Sequence, residues 1–111
     1  MELLQGTLDM LVLRTLVVTP LHGYGISKAI HYNSNGALNI EFGSLYPALK
    51  RLEAKGWVSA KWEVSGHNRR AKYYRPTAAG RKQLHREHSK WAEFVSAVGQ
   101  IMGPVGEGGK P

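Results

Sequence analysis

Residues 44–57, SLYPALKRLEAKGW, decide the fold because they describe a short helix with one apolar face and one basic face. Ser44 is a good N-cap, and it places Pro47 in the first turn, where a missing backbone N–H costs little. Leucines recur at the i, i+4 and i+7 spacing of a buried helical stripe: Leu45, Leu49 and Leu52. Gly56 ends the predicted helix.

The face opposite that stripe is narrow and basic. It carries Pro47, Lys50, Arg51 and Ala54, with Tyr46 on its flank. A DNA major groove, which is about 12 Å wide, admits a helix with such a face, so Lys50 and Arg51 are candidates to contact base edges. An ordinary solvated helix face would carry the same charges, and the flanking segments decide between the two interpretations.

Two helices are predicted upstream. Residues 7–18 are apolar on two faces, which is typical of a helix that is buried or that serves a core and a partner together. The second of these faces carries Met10, Leu13 and Val17. After Pro20, residues 24–32 form a second predicted helix, and residues 33–36 break it. Residues 37–41 are predicted to form a short strand.

A hairpin is predicted directly downstream. Residues 57–64 alternate apolar and polar side chains, which is strand periodicity with Val58, Ala60, Trp62 and Val64 on one face. Residues 65–68 form a turn cluster, and residues 71–75 are rich in strand-favouring aromatics. The alternation leaves open whether Tyr73 or Tyr74 faces inward. Three basic residues are expected near the tip: Arg69, Arg70 and Lys72.

The net charge of the chain is concentrated in this region. The 111 residues include 15 Lys and Arg against 8 Asp and Glu, a formal net charge of +7. Residues 57–86 contain eight of those basic residues and only one acidic residue, Glu63, so they account for the whole excess. A concentrated basic patch is the electrostatic signature of a polyanion binder.

A long last helix is predicted from the N-cap Thr77 to Met102. Apolar residues recur along it at seven-residue spacing, with two more beside them: Leu84, Trp91 and Val98, then Phe94 and Val95. Such a stripe exceeds what a small domain covers, which predicts a partner chain; packing on its own domain is the alternative. The chain is thus divided into residues 1–76, residues 77–102 as a dimerisation helix, and a glycine-rich tail, 103–111, predicted to be disordered. The predicted fold is mainly α with a small β-hairpin, a winged helix-turn-helix plus a long C-terminal helix.

The sequence argues against an enzyme. Its acidic residues are scattered, and no nucleophile–base pair or glycine-rich phosphate loop is recognisable. There is no cysteine, and the pair His85 and His88 could bind a metal only with a distant third ligand, so we predict no metal and no cofactor. The longest apolar stretch, residues 8–18, is shorter than the roughly 20 residues that span a bilayer, so we expect no membrane partner and a cytoplasmic location.

Three segments together resemble the PadR family of bacterial transcriptional regulators: GTLDMLVLRTLVVTPLHGYGI at 6–26, FGSLYPALKRLEAKGWV at 42–58, and NRRAKYYRPTAAG at 68–80. The resemblance covers roughly residues 3–80. It implies a dimeric winged helix protein whose C-terminal helix contacts the first helix of its partner. Pro76 departs from the family pattern, because an apolar residue usually continues the strand there, and this predicts an early end to the hairpin.

The resemblance also implies roles for individual residues. The third helix becomes the recognition helix, which meets DNA through Ser44, Tyr46, Pro47, Lys50 and Arg51. The wing would reach the neighbouring minor groove or its phosphates through Arg69, Arg70 and Lys72, and Tyr24 would touch a phosphate. The dimer contacts implied are Met10, Leu13, Leu84, Trp91, Phe94, Val95 and Val98. Some relatives hold planar apolar effectors at that interface, where Trp91 and Phe94 could line a site; interface core alone is the other interpretation of Trp91.

We therefore expect a sequence-specific DNA-binding repressor. It would bind double-stranded DNA at an inverted-repeat operator as a homodimer, and a small aromatic effector would release it. The alternative is a sequence-indifferent nucleic-acid-binding or protein-interaction module with the same fold, for which the charge of residues 57–86 would suffice.

Overall fold

The computed structural model describes residue 3, residues 5–64 and residues 66–106. The elements follow in the order α1 (Gln5–Val18), α2 (Gly23–Asn33), α3 (Phe42–Ala54), β1 (Val58–Val64), β2 (Arg70–Pro76) and α4 (Ala78–Met102). Helix α1 is the centre of the arrangement, because it contacts the other three helices and β2. The two strands form an antiparallel hairpin, which we call the wing. With four helices and this one hairpin, the described part of the chain is mainly helical, as predicted.

The core lies where α1, α2 and α3 meet the base of the wing. The predicted stripe of α3 is buried, and Leu45, Leu49 and Leu52 are each 1% exposed or less. Helix α1 contributes a second set of buried side chains: Leu8, Val12, Leu13 and Leu16. Leu13 is only 1% exposed within its own chain, so the expectation that it faces a partner is wrong. It packs inward because α1 is surrounded by its own domain on most sides.

Helix α3 begins three residues earlier than predicted. Its N-cap is Glu41, whose carbonyl oxygen accepts the N–H groups of Ser44 and Leu45 at 3.0 and 2.9 Å. Ser44 is therefore helical and is not the cap, and Pro47 lies inside the helix, past the first turn. The sequence prediction favoured Ser44 because its hydroxyl is a good capping group, whereas Glu41 caps without a side-chain hydrogen bond.

Residues 37–41 do not form the predicted strand. Backbone groups of this segment form hydrogen bonds with side chains instead of with a neighbouring strand. The Leu38 N–H donates to Ser34 Oγ at 3.0 Å, and the Ile40 carbonyl accepts from Ser27 Oγ at 3.2 Å. The wing finds a neighbour elsewhere, since Leu21 and Tyr74 exchange backbone hydrogen bonds of 3.3 and 2.9 Å. This bridge attaches the segment before α2 directly to β2.

Pro76 does not shorten the wing, contrary to the prediction. Strand β2 runs through Pro76, which pairs with Val58. The next residue, Thr77, donates its N–H to the Trp57 carbonyl at 3.0 Å. Alternate residues of β2 therefore direct their N–H groups toward β1, and Pro76 falls between them, where no ladder hydrogen bond is lost.

Helix α4 begins and ends as predicted. The Thr77 hydroxyl accepts the Gly80 N–H at 3.0 Å and donates to the Gly56 carbonyl at 2.6 Å, so it caps α4 and fastens it to the end of α3. Leu84 packs against the core, but residues 88–102 are all exposed. Residues 103–106 follow the helix as a turn, and the predicted disorder of residues 107–111 lies outside the described residues.

Candidate nucleic-acid interface

A concave surface opens between the N-terminus of α2, helix α3 and the wing. Its volume is about 870 Å³, and we call it the wing groove. Its lining is aromatic and basic: His22, Gly23, Tyr24, Tyr46, Trp62, His67, Arg69, Arg70, Ala71, Lys72 and Tyr74. Five residues predicted to bind DNA therefore meet on one surface: Tyr24, Tyr46, Arg69, Arg70 and Lys72.

The two tyrosines are positioned by the start of α2. Gly23 lets Tyr46 approach closely, because a Cβ at Gly23 would lie only 2.7 Å from the Tyr46 hydroxyl. His22 caps α2, its Nδ1 accepting the Gly25 N–H at 2.9 Å. Both tyrosines stay more than half exposed, and Lys28 Nζ lies 5.3 Å from the centre of the Tyr24 ring. A positively polarised helix N-terminus flanked by phenols suits an anionic backbone.

The wing supplies the cations of the groove. Lys72 Nζ donates to Glu53 Oε1 at 3.1 Å, and this hydrogen bond raises the pKa of Lys72, which is therefore charged at neutral pH. The Arg70 guanidinium lies 5.3 Å from the Trp62 ring. Burial raises the pKa of Tyr74, so its phenol is neutral at neutral pH. The groove thus combines positive charge with neutral aromatic surface.

The outer face of α3 lies beside the groove without lining it. Ser44, Pro47 and Lys50 are exposed there, as the helical spacing predicted. Lys50 is the cation on this face, at the position from which a helix inserted into a major groove would reach base edges.

Arg51 forms an ion pair that the sequence did not predict. Its Nη2 donates to Asp9 Oδ1 on α1 at 2.9 Å, and its side chain is only 29% exposed. The ion pair engages the Arg51 guanidinium within the chain, whereas Lys50 is exposed, so the contact of Arg51 with a base edge stays a prediction. The physical reason for the ion pair is Asp9, a nearly buried carboxylate that requires a cationic partner.

Six of the residues that line the groove were not predicted to belong to the site, and His22 and Trp62 are among them. His22 caps α2, and the centre of its ring lies 5.1 Å from that of the Tyr73 ring. The signal for this site in the sequence was the next residue, Gly23, because a glycine marks a place where other groups can approach the backbone closely. Trp62 shares its face of the strand with the buried Val58, yet it is 57% exposed. The hairpin projects beyond the helices, so only its base is covered.

The residues predicted for a dimer interface divide into two groups. Leu13 lies in the core and Leu84 packs against it, whereas Met10 is partly exposed. Helix α4 carries an exposed apolar stripe whose members are between 38% and 59% exposed: Trp91, Phe94, Val95 and Val98. The Trp91 and Phe94 rings lie 6.1 Å apart.

Two other kinds of site are not found among the residues that the structure describes. No group of His, Asp and Glu side chains there could hold a metal ion. No helix there is long and apolar enough to cross a membrane.

Known proteins are similar to this sequence over most of its length. Residues 12–86 match the transcriptional regulator PadR-like family. An uncharacterized protein from Lysinibacillus sphaericus is 30% identical over 101 residues, which cover 91% of this chain and 93% of that protein.

Solved structures share the fold. A transcriptional regulator from Clostridium thermocellum is 27% identical with a TM-score of 0.79, over 86% of this chain and 90% of that one. A PadR family transcriptional regulator from Eggerthella lenta is 33% identical with a TM-score of 0.75, over 89% and 84% of the two chains. The predicted family and winged helix fold are confirmed, and PadR proteins are DNA-binding regulators, not enzymes. This chain is a member of the PadR-like family of transcriptional regulators.

Proposed function

We propose that this protein is a repressor that binds an inverted-repeat operator as a homodimer. The observation that carries the proposal is the wing groove, where three cations of the wing and two tyrosines meet beside the exposed face of α3. In this proposal residues 1–76 bind DNA, residues 77–102 dimerise, and the protein acts in the cytoplasm. A dimer seated on an operator that overlaps a promoter would exclude RNA polymerase.

The proposal assigns two kinds of contact. Arg69, Arg70 and Lys72 bind phosphates, which supplies affinity that is independent of sequence. Lys50 bonds a base edge in the major groove, guanine O6 and N7 being its usual acceptors. Ser44, Tyr46 and Pro47 pack α3 against the walls of the DNA major groove. Tyr24, near the start of α2, contacts a phosphate.

The exposed stripe of α4 supports the homodimer. Trp91, Phe94, Val95 and Val98 are too large and too continuous to be scattered surface residues. A second copy would cover them, and Met10 on α1 offers further surface. A two-fold dimer then requires half-sites about one helical turn of DNA apart.

A small aromatic effector is the last part of the proposal. Trp91 and Phe94 offer adjacent exposed rings against which a planar molecule could pack at the dimer interface. The other candidate role for Trp91 is interface core alone. Saturable quenching of tryptophan fluorescence by planar aromatic compounds, absent in Trp91→Leu, would support the effector site; quenching that never saturates would contradict it.

The proposed function is tested with the purified full chain and its own promoter region. Footprinting at moderate salt should show protection of an inverted repeat, and unrelated competitor DNA should not remove it. Transcription in vitro from that promoter should fall as the protein is added. If all DNA sequences compete equally, the protein is a sequence-indifferent nucleic-acid-binding module instead. Sedimentation equilibrium should give twice the 12.3 kDa chain mass.

A further inference from the structure

One face of the wing changes character along its length. Val58, Ala60, Trp62 and Val64 share this face with their partners on β2: Pro76, Tyr74, Lys72 and Arg70. At the base the face packs on the core, where Val58 is 2% and Tyr74 is 6% exposed. Farther out, Trp62 is 57% exposed although it points the same way. The face that builds the core therefore continues as a wall of the wing groove.

Trp62 is held in that wall between basic side chains. It pairs with Lys72 across the two strands, and the Arg70 guanidinium lies over its ring at 5.3 Å. Tyr46 of α3 also lines the groove. The indole contributes little to the chain's own core, and the cations beside it disfavour an apolar protein partner.

We propose that Trp62 is a DNA-contact residue that packs its indole against a deoxyribose of the strand whose phosphates the wing binds. The inference rests on the proposed DNA-binding function and adds an apolar contact to it. The sugar is the apolar part of the backbone between two phosphates, so a ring flanked by cations matches it. Packing under Arg70 also holds that guanidinium in place, which lowers the entropy lost when it binds a phosphate.

Such a contact has a signature that a charge contact lacks. Phosphate binding releases counterions, so losing one cation lowers the salt slope of log K by about 0.9. Losing an apolar contact leaves that slope unchanged. Trp62→Ala should weaken operator binding about tenfold at every salt concentration. Arg70→Ala should weaken binding most at low salt and reduce the slope. Both should weaken specific and nonspecific DNA equally, because sugars and phosphates carry no base sequence.

The matched control is Tyr32→Ala, which removes an aromatic ring that is 80% exposed and lies at the far end of α2. It should bind the operator like the wild type, and Trp62→Phe should restore most of the affinity lost in Trp62→Ala. Melting temperatures of all variants should stay close to that of the wild type, because Trp62 is largely exposed. Wild-type affinity in Trp62→Ala, or an equal loss in Tyr32→Ala, would overturn the inference and leave the proposed function standing.

A second measurement does not depend on deleting the indole. The chain has three tryptophans, so the variant Trp57→Phe/Trp91→Phe reports on Trp62 alone. Operator DNA should protect its fluorescence from acrylamide, whereas unchanged quenching in the bound complex would overturn the inference. Failure of the wild-type protein to bind any DNA would instead contradict the proposed function.

Discussion

Arg51 on α3 and Asp9 on α1 form an ion pair of 2.9 Å that joins the two helices. The two residues are 42 positions apart in the sequence. The Asp9 side chain is 12% exposed, so an unpaired carboxylate there would be strongly disfavoured. The pair therefore fixes the position of α3 against the centre of the fold. In the proposed function, Arg51 would contribute to DNA binding indirectly, by holding the helix that carries Lys50.

Arg51→Met keeps most of the side-chain volume but leaves Asp9 without its partner. We expect the free energy of unfolding to fall by about 2 kcal/mol, measured by urea titration. The double variant Asp9→Asn/Arg51→Met should recover part of that loss, because the unpaired charge is gone. An Arg51→Met protein with full stability but no DNA binding would show that Arg51 contacts DNA directly.

Glu53→Gln should tighten DNA binding. Glu53 now holds the Lys72 ammonium at 3.1 Å, and removing its charge frees Lys72 for a phosphate. The salt slope should steepen by up to about 0.9. The matched control is Glu63→Gln, which makes the same charge change in the 3.0 Å pair with Arg75, on the other face of β1. An equal gain in both variants would mean that only net charge matters.

Lys50→Ala and Arg69→Ala should separate base recognition from phosphate binding. Lys50→Ala should reduce the discrimination between operator variants by about 1–3 kcal/mol at the base it contacts. Arg69→Ala should weaken all sequences alike and lower the salt slope by about 1. Titrations over a panel of operator variants at several salt concentrations measure both effects. Identical behaviour of the two variants would reject this division.

Gly80→Ala should destabilise the fold, since a Cβ at this position would collide with the Trp57 carbonyl oxygen. Because backbone must move, we expect a loss of about 3 kcal/mol in the free energy of unfolding. Gly99→Ala is the control on the same helix; nothing lies within 4 Å of its Cβ. It should gain about 0.5–1 kcal/mol from better helix propensity. Thermal unfolding of the two variants at one protein concentration measures both effects. Equal melting temperatures of Gly80→Ala and Gly99→Ala would contradict this prediction.

The sequence predicted the helices, the hairpin and the buried leucines because these depend on local periodicity. The ion pair of Arg51 was not predicted because its partner, Asp9, is distant in sequence. The exposure of Trp62 was not predicted because alternation reveals which side chains share a face but not where the covering helices end. Residues 37–41 were wrongly predicted to be a strand. Their backbone groups bond to the side chains of Ser27, in α2, and Ser34, which follows α2, and local alternation does not reveal these partners.

Thr77 has a consequence for the spacing of DNA sites. Its hydroxyl and N–H groups bind Gly56, Gly80 and Trp57, so one residue sets the angle at which α4 leaves the wing. In the proposed dimer that angle determines how far apart the two recognition helices stand. If the proposed dimer forms, the number of base pairs between operator half-sites would therefore depend on Thr77, a residue to which the proposal gives no DNA contact.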